Sequence, residues 1–187
     1  MKMTKALGAL LAVITLGTVM TVTPDVSAQA KAHYSLKTTP KKLRGTWYAY
    51  NLKNKKSHYD TVKVASKKLT ETISGSSWSY ALHVLNLKKN PSLKVLNSVK
   101  MSGWSCAYNK GAWTYFQAWG DYDKQQDTTY TKFQVTHKTL NGHSVKTLHS
   151  ITYNSPKDPI YSSYYYKTKA LAKKANPKGI SQVNINK

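Results

Sequence analysis

The stretch TTYTKFQVTHKTLNGHSVKTLHSITY, residues 128–153, decides the fold class of this chain. Apolar and polar side chains alternate on both sides of its centre, and a period of two is typical of β-strands. Asn141 and Gly142 separate the two halves, and both residue types tolerate the positive φ angles of a type I′ turn. The stretch therefore predicts a β-hairpin in which His137 pairs with Lys146.

The same alternation continues through most of the chain, interrupted by short turns. Clusters such as Ser74-Gly75-Ser76, Asn90-Pro91 and Asn109-Lys110-Gly111 mark these turns. The predicted strands are Gly45–Leu52, Tyr59–Ala65, Lys68–Ser74, Ser79–Leu87, Leu93–Val99, Trp104–Tyr108, Ala112–Trp119, Thr128–His137 and His143–Tyr153, with Tyr161–Tyr166 as a further strand. About eight or nine short antiparallel strands predict a single all-β barrel, with a β-sandwich as the alternative.

The two ends of the chain differ from this strand-rich part. Residues 1–30 begin with lysines, continue as an apolar run and end in Ala-Gln-Ala, which is the layout of a secretory signal peptide cleaved after Ala30. The polar residues 31–42 predict a linker, and residues 43–168 the barrel domain. Residues 169–187 predict a lysine-rich helix and tail, with the helix in the stretch KTKALAKK at 167–174. We therefore expect a secreted protein that has no membrane attachment after cleavage.

Lysine dominates the charge of the chain. The net charge is +22, and loss of Lys2, Lys5 and Asp25 with the signal peptide would lower it to +21. Arg44 is the one arginine. Lysine acts as a hydrated point charge, whereas arginine makes the bidentate contacts that read bases. The composition thus favours diffuse attraction to an anionic wall or surface polymer over specific nucleic-acid binding. The alternative is that the lysines serve solubility alone.

Cys106 is the single cysteine, which excludes an intramolecular disulfide. Small domains secreted into strongly oxidising compartments usually carry several disulfides. A lone cysteine is typical of an exporter that does not rely on them, such as many Gram-positive bacteria. Because Cys106 lies between Trp104 and Tyr108, we expect it to be a small core residue and not a nucleophile.

Residues 43–48, Leu-Arg-Gly-Thr-Trp-Tyr, open the first predicted strand. They resemble the Gly-x-Trp-Tyr signature of lipocalins and the wider calycin group. Together with the lysine-rich ending, they are also similar to a group of small secreted proteins of lactobacilli. The resemblance implies a lipocalin-like barrel in which Gly45 permits close packing and Trp47 plugs the closed end, with Tyr48 in the same structural motif. Lipocalins usually carry a late arginine that packs over this tryptophan, and the later strands here contain none.

Metal binding is not expected from the sequence. Asp121, Asp123 and Asp127 form an acidic stretch, but an EF-hand loop needs glycine at its sixth position and glutamate at its twelfth. Gln126 and Lys132 occupy those positions. The histidines also lack the spacing of a metal site.

Catalysis and cofactor binding are not expected either. Acid–base chemistry usually requires paired carboxylates. Asp60 and Glu71 could face each other on neighbouring strands, where lysines are their expected partners. No signature of a nucleophilic serine or cysteine occurs. We therefore expect no catalytic residue.

Four aromatic residues remain as candidate ligand contacts: Trp104, Trp113, Tyr115 and Trp119. On inward faces they would belong to the core, which is the expected role; exposed, they would stack against sugar rings or line an apolar pocket. The sequence thus predicts a non-catalytic binding or surface-interaction protein, held loosely to the cell envelope by lysine charge. The alternative is a carrier of a small apolar ligand, and an enzyme ranks third. A filled barrel interior would favour the surface role, and an open apolar cavity the carrier.

Overall fold

Ten β-strands and one short α-helix make up the part of the fold that the structure describes. The computed structural model describes residues 34–53, 56–86, 103–118, 130–155, 158–179 and 183–184. The strands are β1 (Gly45–Lys53), β2 (Lys56–Val64), β3 (Lys68–Ile73), β4 (Ser76–Leu82), β5 (Trp104–Lys110), β6 (Trp113–Ala118), β7 (Tyr130–Leu140), β8 (His143–Ser155), β9 (Asp158–Tyr166) and β10 (Val183–Asn184). The helix is α1 (Lys169–Ala175), and a 3₁₀ turn at Lys41–Leu43 precedes β1.

The strands pair in chain order, and β1 also pairs with β9, so nine strands form a closed barrel. The predicted all-β barrel is confirmed. Because the sheet closes on itself, the alternative of a β-sandwich is excluded. One expectation is corrected, because β4 and β5 pair in parallel, with Ala81 opposite Trp104. The chain between these two strands contains the predicted strand Leu93–Val99, which lies outside the described residues.

The hairpin of β7 and β8 has the predicted turn and register. Asn141 and Gly142 adopt φ angles of 52° and 77°, which is the left-handed region that a type I′ turn requires. His137 pairs with Lys146, as predicted. Once the turn is fixed, each further pair follows by counting outward, and this register decides which side chains face the barrel interior.

The barrel interior is filled by side chains from all around the barrel. The buried cluster contains Trp47, Ala49, Val62, Val64, Leu69, Leu82, Ala107, Phe116, Phe133, Leu148 and Tyr165, with Leu43 from the 3₁₀ turn. Phe116 and Phe133 meet edge to face, with ring centroids 5.4 Å apart. The inner positions therefore form a packed core and not a channel.

The start of β1 packs against the residue that follows β9. Trp47 is fully buried, and its Nε1 donates to the carbonyl oxygen of Leu43 at 2.7 Å. Lys167 Nζ lies 3.4 Å from the centroid of the Trp47 ring and donates to the Arg44 carbonyl oxygen at 3.1 Å. Gly45 has a φ of +111°, and a Cβ there would lie 2.9 Å from Lys167 Nζ. The cation over this tryptophan is therefore supplied by a lysine just after the last barrel strand.

Residues 34–42, part of the predicted linker, lie against the barrel. The Leu36 amide donates to the Ala107 carbonyl at 2.7 Å, and the Thr39 amide to the Ser66 carbonyl at 2.9 Å. Thr39 is buried, and its carbonyl accepts two hydrogen bonds from the Arg44 guanidinium, at 3.1 and 2.8 Å. The hydrogen bonds of Arg44, the one arginine of the chain, thus hold this segment in place.

Helix α1 covers part of the outside of the barrel. Thr168 caps it, because its side chain accepts a hydrogen bond from the Leu171 amide at 3.2 Å. Ala172 is buried against Tyr50 and Tyr166 on β1 and β9. The short C-terminal helix predicted from KTKALAKK is confirmed, with its start two residues later than expected.

Candidate functional site

Lysine side chains cover the outside of the described barrel. The exposed ones are Lys37, Lys41, Lys42, Lys56, Lys63, Lys67, Lys68, Lys110, Lys138, Lys146, Lys169, Lys173, Lys174 and Lys178. The acidic side chains that the structure describes are Asp60 and Glu71. Both face inward, because Asp60 pairs with buried Ala49 and Glu71 with buried Val62. The described outer surface is therefore positive without carboxylates to compensate it.

Asp60 is a structural anchor at one end of the barrel. Its Oδ1 accepts from the Ser74 amide at 2.8 Å, and its Oδ2 from Asn51 Nδ2 at 3.2 Å. His58 Nε2 lies 3.4 Å from the same carboxylate. Since the pairing register sets Glu71 opposite Val62 and not opposite Asp60, the two acids do not form a catalytic pair.

Glu71 lies at a cavity of about 90 Å³ between β3 and β6. Desolvation by burial raises the pKa of this carboxyl to about 7. Tyr80, Ser105 and Thr131 add hydroxyl groups to the lining, but no second carboxyl or imidazole lies among the described lining residues. A cavity of this size has room for several water molecules. The Glu71 carboxyl can thus be protonated near neutral pH. The described lining contains no second acid or base of the kind that acid–base catalysis usually uses.

An array of aromatic side chains lies on the outside of β5–β9. We call it the outer aromatic face, and its members are Tyr108, Trp113, Tyr115, Tyr130, His149, Tyr153 and Tyr164. Trp113 and Tyr115 were expected in the core, but the register excludes this, because the intervening Thr114 pairs with the fully buried Phe133. Both rings therefore point to the opposite side of the sheet, where they are half-buried.

The tyrosine rings of this face stack on one another. Tyr108 and Tyr115 are nearly parallel, with centroids 5.1 Å apart, as are Tyr130 and Tyr153 at 4.6 Å. Each stacked contact covers one face of both rings, which reduces the ring surface that a sugar could stack against. Burial, with smaller contributions from Tyr153 and Tyr115, raises the pKa of Tyr130 to about 12. Its hydroxyl thus remains a hydrogen-bond donor near neutral pH.

Basic side chains are set among these rings. Lys132 Nζ lies 4.8 Å from the Trp113 centroid and 4.7 Å from that of Tyr153. His149 stacks on Tyr164 with centroids 4.2 Å apart, and its pKa is lowered by burial and then by nearby lysines. The face therefore combines aromatic packing with concentrated positive charge.

Trp104 is separate from this face. It stacks on His83 with ring centroids 3.5 Å apart, and burial lowers the pKa of that histidine. His83 borders an open depression of about 470 Å³, lined by residues 81–84 with Lys37 and Lys67. Of the four candidate contacts, the structure brings Trp113 and Tyr115 together and places Trp104 elsewhere.

The remaining predicted positions are structural or lie outside the described residues. Tyr48 faces outward and packs near α1. Cys106 is fully buried, and burial raises the pKa of its thiol to about 12, so it carries no nucleophilic thiolate. Trp119 and the acidic stretch 121–127 are not among the described residues.

Sequence reasoning missed the members of the outer aromatic face that lie on β7 and β8. A signal for them was present, because the Asn-Gly turn fixes the register of the whole hairpin. Counting outward from the pair of His137 and Lys146 places Gln134 opposite His149 and Tyr130 opposite Tyr153. The register thus predicts a continuous outer row once one pair is known.

The described part of the chain contains neither a metal-binding group nor a membrane-spanning helix. No three histidine, cysteine or acidic side chains come together there in a group that could hold a metal ion. Within the same residues, no helix has the length and apolar character needed to cross a membrane.

Comparison with known proteins gave no match. No protein-family model, no curated protein and no solved structure is similar to the chain.

Proposed function

We propose that this chain is an exported, non-catalytic binding protein that associates through its lysines with an anionic polymer of the cell envelope or of a host surface. One observation carries the proposal: exposed lysines surround the described barrel, while Asp60 and Glu71 turn inward. Uncompensated surface charge attracts a polyanion over long distances. Because lysine is a point charge, such attraction tolerates many arrangements of the polymer.

The filled interior supports a role on the outside of the barrel. Pockets for small molecules usually measure about 300–1,000 Å³. The interior cavity measures about 90 Å³ and is bordered by the ionisable Glu71. The alternative function, carriage of a small apolar ligand, therefore has weaker support than surface binding.

Export and family membership are part of the same proposal. Export is supported by residues 1–30, with their basic start, apolar run and small-residue cleavage site. Membership among the small lipocalin-like secreted proteins of lactobacilli is supported by residues 43–48 and by the packing of Gly45, Trp47 and Lys167. On this proposal the protein is extracellular and is held to the wall without a covalent bond.

A salt titration tests the proposal. The purified protein is mixed with isolated Gram-positive cell walls at increasing sodium chloride. The Debye length falls from about 10 Å at 0.1 M salt to about 3 Å at 1 M, so we expect binding at low salt and release at high salt. Walls stripped of their anionic polymers should bind little protein at any salt concentration.

Two results would contradict the proposal. If the protein does not bind untreated walls at low salt, the lysines serve solubility alone. If binding survives 1 M salt and a neutral sugar competes for it, recognition does not depend on charge. Excess neutral dextran serves as the control, because it offers sugar rings without charge.

A further inference from the structure

Three basic side chains converge on the outer aromatic face. Lys132 and His149 point outward from β7 and β8, and Lys138 reaches across to β9, where its Nζ lies 3.2 Å from the centroid of the Tyr164 ring. We call Lys132, Lys138 and His149 the basic cluster. Burial, and then the neighbouring Lys138 and Lys132, lower the pKa of His149, so the two lysines supply the charge of the cluster and the imidazole is a neutral hydrogen-bonding group near pH 7. The cluster is a local concentration of positive charge.

The cluster is held in place by its neighbours. His149 is fixed by stacking on Tyr164 and by a 3.0 Å contact between its Nε2 and the Ser162 hydroxyl. Lys132 lies over the rings of Trp113 and Tyr153. These contacts restrict the basic groups before any ligand binds, and a restricted group loses less entropy on binding.

The described surroundings of the cluster contain hydroxyl donors and no carboxylate. Tyr130 and Tyr153 belong to the same face, and Ser162 adds a third hydroxyl. Asp60 and Glu71 lie on the interior side of the barrel. An anion is the ligand that this combination of charges and donors complements.

The number of donors around the cluster favours phosphate over carboxylate. Arginine binds both anions through planar, bidentate contacts, whereas lysine binds either as a point charge and leaves the remaining oxygens of the anion to other donors. Arg44, the one arginine, is occupied with the Thr39 carbonyl. A phosphate group accepts hydrogen bonds from several directions, which suits donors arriving from two lysines and several hydroxyls.

We propose that the outer aromatic face is a phosphate subsite, in which Lys132, Lys138 and His149 hold a phosphate group of an extracellular phosphodiester polymer. This inference rests on the proposed function, because it assigns the polymer contact to one region of the charged surface. The aromatic rings act mainly as supports for the basic groups. Diffuse attraction brings the polymer to the barrel, and the subsite determines where it binds.

The test compares two double variants that lose the same charge. K132Q/K138Q removes the two lysines of the subsite, and K63Q/K174Q removes two exposed lysines on β2 and on α1. Binding of the purified variants to a poly(glycerol phosphate) chain is measured by calorimetry at 0.1 M salt. We expect the subsite variant to bind roughly tenfold more weakly or worse, as for lost charge-assisted hydrogen bonds. The control should weaken binding about twofold, as for exposed charges.

The outcomes separate this inference from the proposed function. Equal losses in both double variants would overturn the subsite while leaving diffuse binding intact. If the unaltered protein does not bind the polymer at low salt, the proposed function fails together with the subsite. Circular dichroism verifies that both variants remain folded. If K132Q/K138Q unfolds, the single variants K132Q and K138Q are compared with K63Q, and equal losses would again overturn the subsite.

A second measurement locates the ligand and identifies its source. We expect NMR signals of the His149 imidazole, assigned with H149Q, to shift when poly(glycerol phosphate) is added and to remain unchanged with dextran. Unchanged signals on saturation with the polymer would overturn the subsite. Inorganic phosphate is titrated in parallel. If it binds as tightly, per phosphate, as the polymer does, the ligand is free phosphate and the polymer assignment is wrong.

Discussion

The carboxyl of Glu71 should make the stability of the fold depend on pH. Its pKa is 4.5 when unperturbed, and desolvation at the interior cavity raises it to about 7. Below pH 4.5 the group is protonated in both the folded and the unfolded state, so it does not weaken the fold. Between pH 4.5 and 7 the unfolded state releases its proton first. The free energy of unfolding should therefore fall across this interval and stay constant above it.

The size of the effect follows from the two pKa values. The difference between 4.5 and about 7, at about 1.4 kcal/mol for each pH unit, corresponds to roughly 3 kcal/mol. Because Glu71 keeps some contact with solvent, screening makes this an upper bound. The substitution E71Q keeps the shape of the side chain and removes its charge. At pH 8, E71Q should be more stable than the unaltered protein by up to this amount, and at pH 4 the two should be alike.

Urea denaturation followed by tryptophan fluorescence measures the effect. Unfolding free energies of the unaltered protein and of E71Q are compared at pH 4, 5.5, 7 and 8.5. Other titrating groups, including His149, contribute equally to both proteins and cancel in the difference. A difference that does not change with pH would refute the assignment of a raised pKa to Glu71.

Three further predictions concern packing and processing. Trp47→Ala should lower the free energy of unfolding by about 3–5 kcal/mol, because it removes a fully buried side chain. The side chain of Trp78 is 48% exposed, so Trp78→Ala should lower this free energy far less. Equal losses in urea denaturation would contradict the role of Trp47 as a plug at the start of β1. Lys167→Met should cost about 1–2 kcal/mol through loss of the ring contact and of the hydrogen bond to the Arg44 carbonyl. Lys167→Arg keeps the positive charge and should retain most of that stability. If Lys167→Arg and Lys167→Met lose the same amount, the positive charge over Trp47 does not stabilise the fold. Mass spectrometry of the secreted protein should find a chain that begins at Lys31, and a mature form that retains Met1 would contradict signal cleavage.

Local signals in the sequence predicted the parts of the fold that depend on neighbouring residues. The turn at Asn141-Gly142 requires positive φ angles that few residue types adopt, so it fixed both the hairpin and its register. The stretch KTKALAKK at 167–174 likewise predicted α1, and the structure adds the capping hydrogen bond from the Leu171 amide to Thr168. The closing pair of β1 and β9 has no comparable local signal.

Which face of a strand points inward was harder to predict, because both faces of β6 carry aromatic side chains. Trp113 and Tyr115 alternate with Thr114 and Phe116, so the apolar pattern alone does not distinguish the two sides. The cation over Trp47 was missed for a similar reason. Lys167 lies outside the strands and is one of many lysines, and its role depends on contact with a residue far away in the chain.

The barrel is closed by β9, the last of its strands along the chain, through a short contact with β1. The first and last barrel strands meet at one residue pair, Tyr48 with Tyr166, and the packing of α1 and Lys167 supports this seam. During synthesis, the edge of β1 remains without its neighbour until nearly the whole chain has emerged. An incomplete chain therefore lacks the strand that closes the barrel. In the finished protein, the same seam is the shortest strand contact around the barrel, and it is where we expect the wall to part first under tension.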